Sequence, residues 1–208
     1  MLAALVLAGG ASTRMGTDKA TLVVEGQRLI DRAIDAIAPV TDGPIVVAGP
    51  DPGGLPANVE VVEDPEGPRQ GPLAGLASGW RRLNDGQDAS GAAIDGVIVL
   101  SCDLASVDRG AVQQLVEASI GGADVMAHDG ERPQPLLAVY SRSTIERLVG
   151  AFDDGERSIR RALDLNKVVI ISIDKARASD ADSPGDLAGR SVDWPANVES
   201  AVSEACDD

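Results

Sequence analysis

Leu2-Ala3-Ala4-Leu5-Val6-Leu7-Ala8-Gly9-Gly10-Ala11-Ser12-Thr13-Arg14-Met15-Gly16-Thr17-Asp18-Lys19 joins an unbroken aliphatic run to a glycine pair. Residues 2–8 show no polar alternation, the pattern of a strand buried on both faces. The run is too short to span a membrane, and no basic segment precedes it, so it reads as neither a membrane helix nor a signal peptide. The glycines let the backbone turn and come close to a ligand, so that its amides converge on an anion. Ser12 and Thr13 add hydroxyl donors, Arg14 a guanidinium fork for phosphate oxygens, and Lys19 a point charge. That density of donors suits a triphosphate; the alternative is a plain glycine turn with surface cations. A P-loop is excluded because Gly16 is followed by Thr17-Asp18-Lys19 rather than Lys-Ser/Thr, and the loop lacks G-x-G-x-x-G spacing.

Outward from this stretch, strand-like and helix-like segments alternate. Leu29, Ile30, Ala33, Ile34 and Ile37 fall at helical spacing, and Pro39 closes that helix. Residues 45–48 and 59–62 are short apolar strands. A Gly/Pro-rich segment, 64–71, leads into a helix over 73–83, and 84–91 reads as a polar surface insert. Residues 97–100 form a strand that runs into Cys102-Asp103. Val112, Leu115 and Val116 mark a helix, and 124–127 and 136–140 are strands around a polar loop. Ile145, Leu148 and Val149 mark another helix, with Ser143 as its expected N-cap and Glu146 closing a capping box. A short helix over 158–163 and a strand over 168–173 follow. This order predicts an α/β domain with a mostly parallel sheet, whose ligands sit outside the carboxyl ends of the strands. The domain is expected to occupy 1–188, with 189–208 an acidic C-terminal tail.

Composition narrows the function. With 33 acidic and 18 basic residues and a net charge of −15, the chain would repel a polyanion, so nucleic acid is not an expected partner. A small anion held by backbone amides and a few cations in one cleft stays open. Aromatics are only 2%, so the core must be aliphatic, as suits helices on both faces of a parallel sheet. Cys102 and Cys206 have no metal-type spacing, and His128 is the only histidine, which argues against a His/Cys metal site and fits free thiols in a reducing cytoplasm. Cys102 reads as packing and His128 as a loop or strand-edge residue. Asp103, just past an aliphatic strand, lies at the ligand edge of the sheet and can hold magnesium; the alternative is a cap on the next helix.

The opening segment resembles the LAGGxSxRMGxDK signature of the molybdenum cofactor guanylyltransferase family. Further elements match in order: Asp64, then Gly71-Pro72-Leu73-Ala74-Gly75-Leu76; Cys102-Asp103; His128-Asp129-Gly130-Glu131-Arg132 with Pro135 and 137–140; Gly155-Glu156-Arg157-Ser158; and 180–187. Together they cover about residues 1–188. The resemblance implies a three-layer Rossmann-like nucleotidyltransferase fold and a Mg2+-dependent transfer of GMP from GTP to molybdopterin or its molybdenum-loaded form. A phosphate oxygen of the acceptor would attack the α-phosphorus and expel pyrophosphate. A molybdoenzyme or its chaperone is the implied recipient of the product.

By the same resemblance Arg14, Lys19 and Asp103 are catalytic, with Asp103 the metal ligand. Leu7, Ala8, Gly9, Gly10, Arg14, Lys19, Asp64, Gly71, Pro72, Leu73 and Asp103 would line the nucleotide. Arg132, Gln134, Asp180 and Asp182 would meet the acceptor. Asp64 also reads as a turn residue before Pro65. Several positions depart from the family pattern. Gln134 replaces a frequent His, Asp180 and Asp182 replace Asn, Ala48 stands where relatives can carry a polar residue, and Ala105 replaces Pro. Leu-Ala-Gly-Gly favours guanine, since cytidylyl relatives more often read Leu-Ala-Ala-Gly. The alternatives are a cytidylyl- or sugar-phosphate nucleotidyltransferase of the same fold, or a non-catalytic protein that binds the nucleotide or cofactor.

Overall fold

In a computed structural model of the chain, residues 1–9, 18–63, 70–85 and 93–195 are described. The opening run forms β1 (Leu2–Leu7). A small hairpin follows, β2 (Val23–Val24) and β3 (Gln27–Arg28), leading directly into α1 (Leu29–Ile37). Next come β4 (Ile45–Ala48), β5 (Val59–Val62), α2 (Pro72–Asp85) and β6 (Gly96–Ser101). The second half contains α3 (Arg109–Ala118), β7 (Val125–His128), β8 (Pro133–Ser141) and α4 (Arg142–Asp153). It ends with α5 (Ile159–Ala162), β9 (Val169–Ser172), α6 (Lys175–Ala178) and β10 (Val192–Asp193).

Seven strands form one sheet in the order β5-β4-β1-β6-β8-β7-β9. β8 runs antiparallel to both neighbours, and every other pairing in the sheet is parallel. The period of two along β1 and β6 divides their side chains between two cores. Ala4, Val6, Ile98 and Leu100 pack with Ile30, Ile34 and Ile37 of α1 and Val112 and Leu115 of α3. Ala3, Leu5, Leu7, Val97 and Val99 pack on the other face with Leu76 and Trp80 of α2 and Ile145, Leu148 and Phe152 of α4. The absence of polar alternation follows from this two-sided burial. β1 is level with its neighbours at its carboxyl end, Leu7 standing opposite Ala48 of β4 and Ser101 of β6. The loops leaving these strands therefore meet at one edge. Among the described residues no helix is long and apolar enough to cross a membrane.

Two expectations need correction. The N-cap of α4 is Ser141, whose hydroxyl accepts from the Thr144 amide, not Ser143. Asp124 fixes the start by accepting from the Ser141 amide at 2.7 Å and the Thr144 hydroxyl at 2.5 Å. Glu146 instead accepts from Arg142 Nε, at 2.8 Å. The chain after 188 is also not loose where it begins. Val192 pairs with Val24, the Glu25 amide donates to the Ser191 carbonyl, and Arg190 donates to the Ala105 carbonyl and Ser106 Oγ. Residues 189–195 thus close a three-stranded sheet, β10-β2-β3, over a small core of Leu22, Val24, Leu29, Ala105, Ala181 and Leu187. Neither β2 nor β10 is long enough to show an alternation, so composition hides the pairing. Residues 196–208 lie outside the described residues, as does most of the polar insert.

Candidate active site

At the carboxyl edge of the sheet, the ends of β1 and β6 are tied by the Cys102 amide, which donates to the Leu7 carbonyl at 3.0 Å. Asp103 follows at once, with Ser101 Oγ donating to its Oδ1 at 2.5 Å. Lys19 reaches it from the other side of the loop. Asp18 accepts from the Ala20 amide and starts a single 3-10 turn, Lys19–Thr21. From that turn Lys19 Nζ donates to Asp182 Oδ1 at 2.7 Å and to Asp103 Oδ2 at 3.4 Å. Burial alone would lower the Lys19 pKa. The hydrogen bond to Asp182 and the charges of Asp103 and Asp182 outweigh that and hold it above its ordinary value, so the ammonium is secure.

Asp180 and Asp182 arrive from far along the chain because their backbone is strapped to Asp103. The Ala181 amide donates to the Asp103 carbonyl at 2.9 Å, and Leu104 forms a bridge with Asp180. Asp186 holds the far side of this turn by accepting from the Asp182 and Ser183 amides. Asp180 accepts from Arg132 at 2.9 Å. Burial, then the charges of Asp103 and Asp182, push the Asp180 carboxyl up to about 6. Burial, then the charge of Asp103, push the Cys102 thiol far above its ordinary range, so it is packing and not a nucleophile.

An open cleft of about 490 Å3 is lined by Ser101, Asp103, Asp180 and Asp182 together with Arg132, Arg157, Arg160 and Arg161. Pro72 and Gln134 are also part of the lining. In a chain of net charge −15, four arginines around one cleft are the local departure that favours an anionic ligand. Of the expected residues, the structure therefore brings together Lys19, Asp103, Pro72, Arg132, Gln134, Asp180 and Asp182. Gly10, Ser12, Thr13, Arg14 and Asp64 lie outside the described residues. The Leu73 side chain is fully buried in the core, because α2 turns that position onto the sheet. Leu7 is likewise a core side chain, and only its backbone reaches the edge.

Two glycines show how closely the backbone is drawn together here. Gly71 has φ +80°, and a Cβ on it would lie 2.7 Å from the Arg157 carbonyl oxygen. Gly49 ends β4 with φ +148°, and a Cβ there would lie 2.7 Å from both Ala8 C and Gly9 N. Gly49→Ala must therefore displace the start of the glycine loop. We expect it to cost about 1–3 kcal/mol of stability and to weaken nucleotide binding; an unchanged melting temperature and an unchanged Kd for GTP would count against this.

The sequence reading misses the role of Gly49, the positional roles of Asp129 and Asp186, and the basic wall. Arg157 donates from Nε to Gln70 Oε1 at 3.1 Å, and its guanidinium lies 4.4 Å from the Phe152 ring centroid. Glu156 accepts from Arg161 at 2.8 Å. The signal is present in Gly155-Glu156-Arg157-Ser158 and the arginines after it, but nothing local says which cleft they face.

A family model described as MobA-like NTP transferase domain matches residues 4–169. The chain belongs to this family. A molybdenum cofactor guanylyltransferase of Pseudomonas putida is 31% identical over 162 residues, 76% of this chain and 80% of that protein. Among solved structures, the molybdopterin-guanine dinucleotide biosynthesis protein A of Archaeoglobus fulgidus superposes with a TM-score of 0.66 at 21% identity, covering 99% of this chain and 98% of that one. A 2-C-methyl-D-erythritol 4-phosphate cytidylyltransferase of Thermus thermophilus gives 0.62 at 18% identity over 90% and 96%. The two structural likenesses speak to the fold alone, and the second shows that it is shared with a cytidylyl enzyme. As a MobA-like NTP transferase domain the chain is a nucleotidyltransferase, with its cleft at the β1 and β6 ends.

Magnesium fits the donor set. Asp103 and Asp180 offer hard oxygen ligands, and the charges of Asp103 and Asp182, which add to burial in raising Asp180, are what a divalent cation relieves. Among the described residues no three His, Cys, Asp or Glu are grouped to hold a metal by themselves. The remaining ligands would be substrate phosphate oxygens and water, the usual arrangement for Mg2+ at nucleotide sites.

Proposed function

We propose that the protein transfers GMP from GTP to the terminal phosphate of molybdopterin or its molybdenum-loaded form, releasing pyrophosphate and a guanine dinucleotide. The observation that carries this reading is the cleft itself: Lys19 is paired with Asp103 just past the end of β6, and four arginines line the same cleft as Asp103. The relatives named as guanylyltransferases of the molybdenum cofactor supply the choice of base and acceptor. In the reaction a phosphate oxygen of the acceptor forms a bond to the α-phosphorus, and the bond from that phosphorus to the bridging oxygen of the β-phosphate breaks. A phosphate is already ionised near neutral pH, so no general base is required, and alignment and charge neutralisation do the catalysis. That fits a site whose cysteine is buried and protonated.

Lys19 meets the negative charge of the triphosphate, and the sequence assigns Arg14 the same role. Arg132, with Arg157, Arg160 and Arg161 of the same cleft, orients the acceptor phosphate. Asp103, helped by Asp180, would hold Mg2+, which supplies polarisation of the α-phosphate and charge neutralisation. We place the activity in the cytoplasm, with a molybdoenzyme or its chaperone taking the product.

The test is pyrophosphate release from each of the four common triphosphates in the presence of molybdopterin, with and without Mg2+. We expect release with GTP and Mg2+ only. Release with CTP alone would move the assignment to a cytidylyltransferase, and tight GTP binding without release from any triphosphate would favour an accessory protein.

A further inference from the structure

Beside the cleft stands a buried polar pair that the mechanism above does not use. Asp129 is 7% exposed and Gln134 is 6% exposed. The Asp129 side chain closes the turn between β7 and β8: Oδ1 accepts from the Glu131 amide at 2.8 Å and from the Arg132 amide at 2.7 Å. Its Oδ2 accepts from Gln134 Nε2 at 2.5 Å. Burial would raise this carboxyl, but the Arg132 and Glu131 amides and the Gln134 bond outweigh it and lower it to about 2. At neutral pH Asp129 is therefore a hydrogen-bond acceptor and nothing else.

That decides which way the Gln134 amide lies. An acceptor-only carboxylate admits the NH2 end of the side chain and excludes its oxygen. The oxygen must point away from Asp129, and Gln134 lines the cleft. Among the described residues no donor is bonded to that oxygen, and Arg32 Nε is the one fully enclosed side-chain nitrogen or oxygen without a partner. The Gln134 oxygen is thus open to an incoming group.

We infer that Asp129 is a positioning residue that locks Gln134 with its amide oxygen toward the cleft, so that the site selects an acceptor presenting an N–H or NH2 edge at this point. The inference rests on the acceptor reading above and sharpens it, since a pterin ring offers such donors and a sugar phosphate offers only hydroxyls. It also gives Gln134 a use that does not depend on titration, because a glutamine amide carries a fixed polarity at all ordinary pH values.

The swap of amide and acid provides the test. In Asp129→Asn, the new side-chain oxygen must stay on the Glu131 and Arg132 amides, which both donate. The new NH2 then faces Gln134, whose amide has to turn over and present its own NH2 to the cleft. We expect the KM for molybdopterin to rise by about 10- to 100-fold, because donor then faces donor, with the KM for GTP changed by less than about twofold. The double variant Asp129→Asn with Gln134→Glu restores the pattern, since the introduced carboxylate accepts from the introduced amide and turns its other oxygen to the cleft. It should recover the KM for molybdopterin to within about threefold of the original. A merely structural Asp129 would raise both KM values together, and the second substitution would not rescue it.

A readout independent of substrate is proton exchange at the Gln134 side-chain amide, followed by NMR. It should be slow in the unaltered protein and approach that of a free amide in Asp129→Asn. Free-amide exchange in the unaltered protein overturns the inference, as does an unchanged acceptor KM in Asp129→Asn. If the unaltered protein fails to use molybdopterin at all, the acceptor reading falls, and the exchange rates still decide whether Asp129 locks Gln134.

Discussion

Asp103→Ala is expected to lower kcat/KM for GMP transfer by about 10³-fold while the fold and GTP binding survive. The carboxylate sits just past the end of β6, accepts from Ser101 and Lys19, and is the group proposed to hold Mg2+. Its removal does not strand Lys19, which keeps its closer bond to Asp182 at 2.7 Å. Nor does it open the core, since the neighbouring Cys102 and Leu104 are the buried members of this turn. The loss should therefore fall on chemistry. Single-turnover rates at saturating GTP, set beside calorimetric Kd values and melting curves, separate the two effects. A melting temperature lowered in step with activity would make Asp103 structural, and an unchanged rate would remove it from the mechanism.

Lys19→Met carries the second largest expected effect, about a 10²-fold fall in kcat/KM with a rise in the KM for GTP. Methionine retains the length and apolar volume of the buried stem but removes the one lysine that pairs with both Asp103 and Asp182. Those two carboxylates, with Asp180 beside them, would face the triphosphate with less cationic compensation. Steady-state kinetics with varied GTP checks this. Lys19→Arg should recover only part of the loss, because a planar fork cannot reproduce a point charge shared between two carboxylates. Full activity in Lys19→Met would show that this ammonium does not meet the phosphates.

How far the sequence discloses this site depends on how local the chemistry is. Asp103 is legible because the aliphatic run 97–100 ends just before Ser101-Cys102-Asp103, and an acid there has only the ligand edge to occupy. Lys19 is legible for the same reason, at the end of a glycine loop leaving β1. The antiparallel course of β8 is not, because parallel and antiparallel strands share a period of two and differ only in hydrogen-bond partners. The burial of the Leu73 side chain is not legible either, because a motif gives adjacency along the chain and it is α2 that turns that side chain into the core. The Asp129–Gln134 pair and the bond from Arg157 to Gln70 come from side chains that only the folded backbone brings within reach. The role of residues 189–195 is hidden by the brevity of β2 and β10, whose pairing is set by Arg190 and the small third core rather than by pattern.

The central claim is that an acceptor phosphate attacks the α-phosphorus of GTP. Its most direct measurement uses GTP radiolabelled in the α-phosphate, incubated with the protein, Mg2+ and molybdopterin, and resolved by chromatography. The account predicts that the label moves into a pterin guanine dinucleotide and that the pyrophosphate released is unlabelled. Label left wholly in GTP, or a product labelled only when the γ-phosphate carries the isotope, would contradict it.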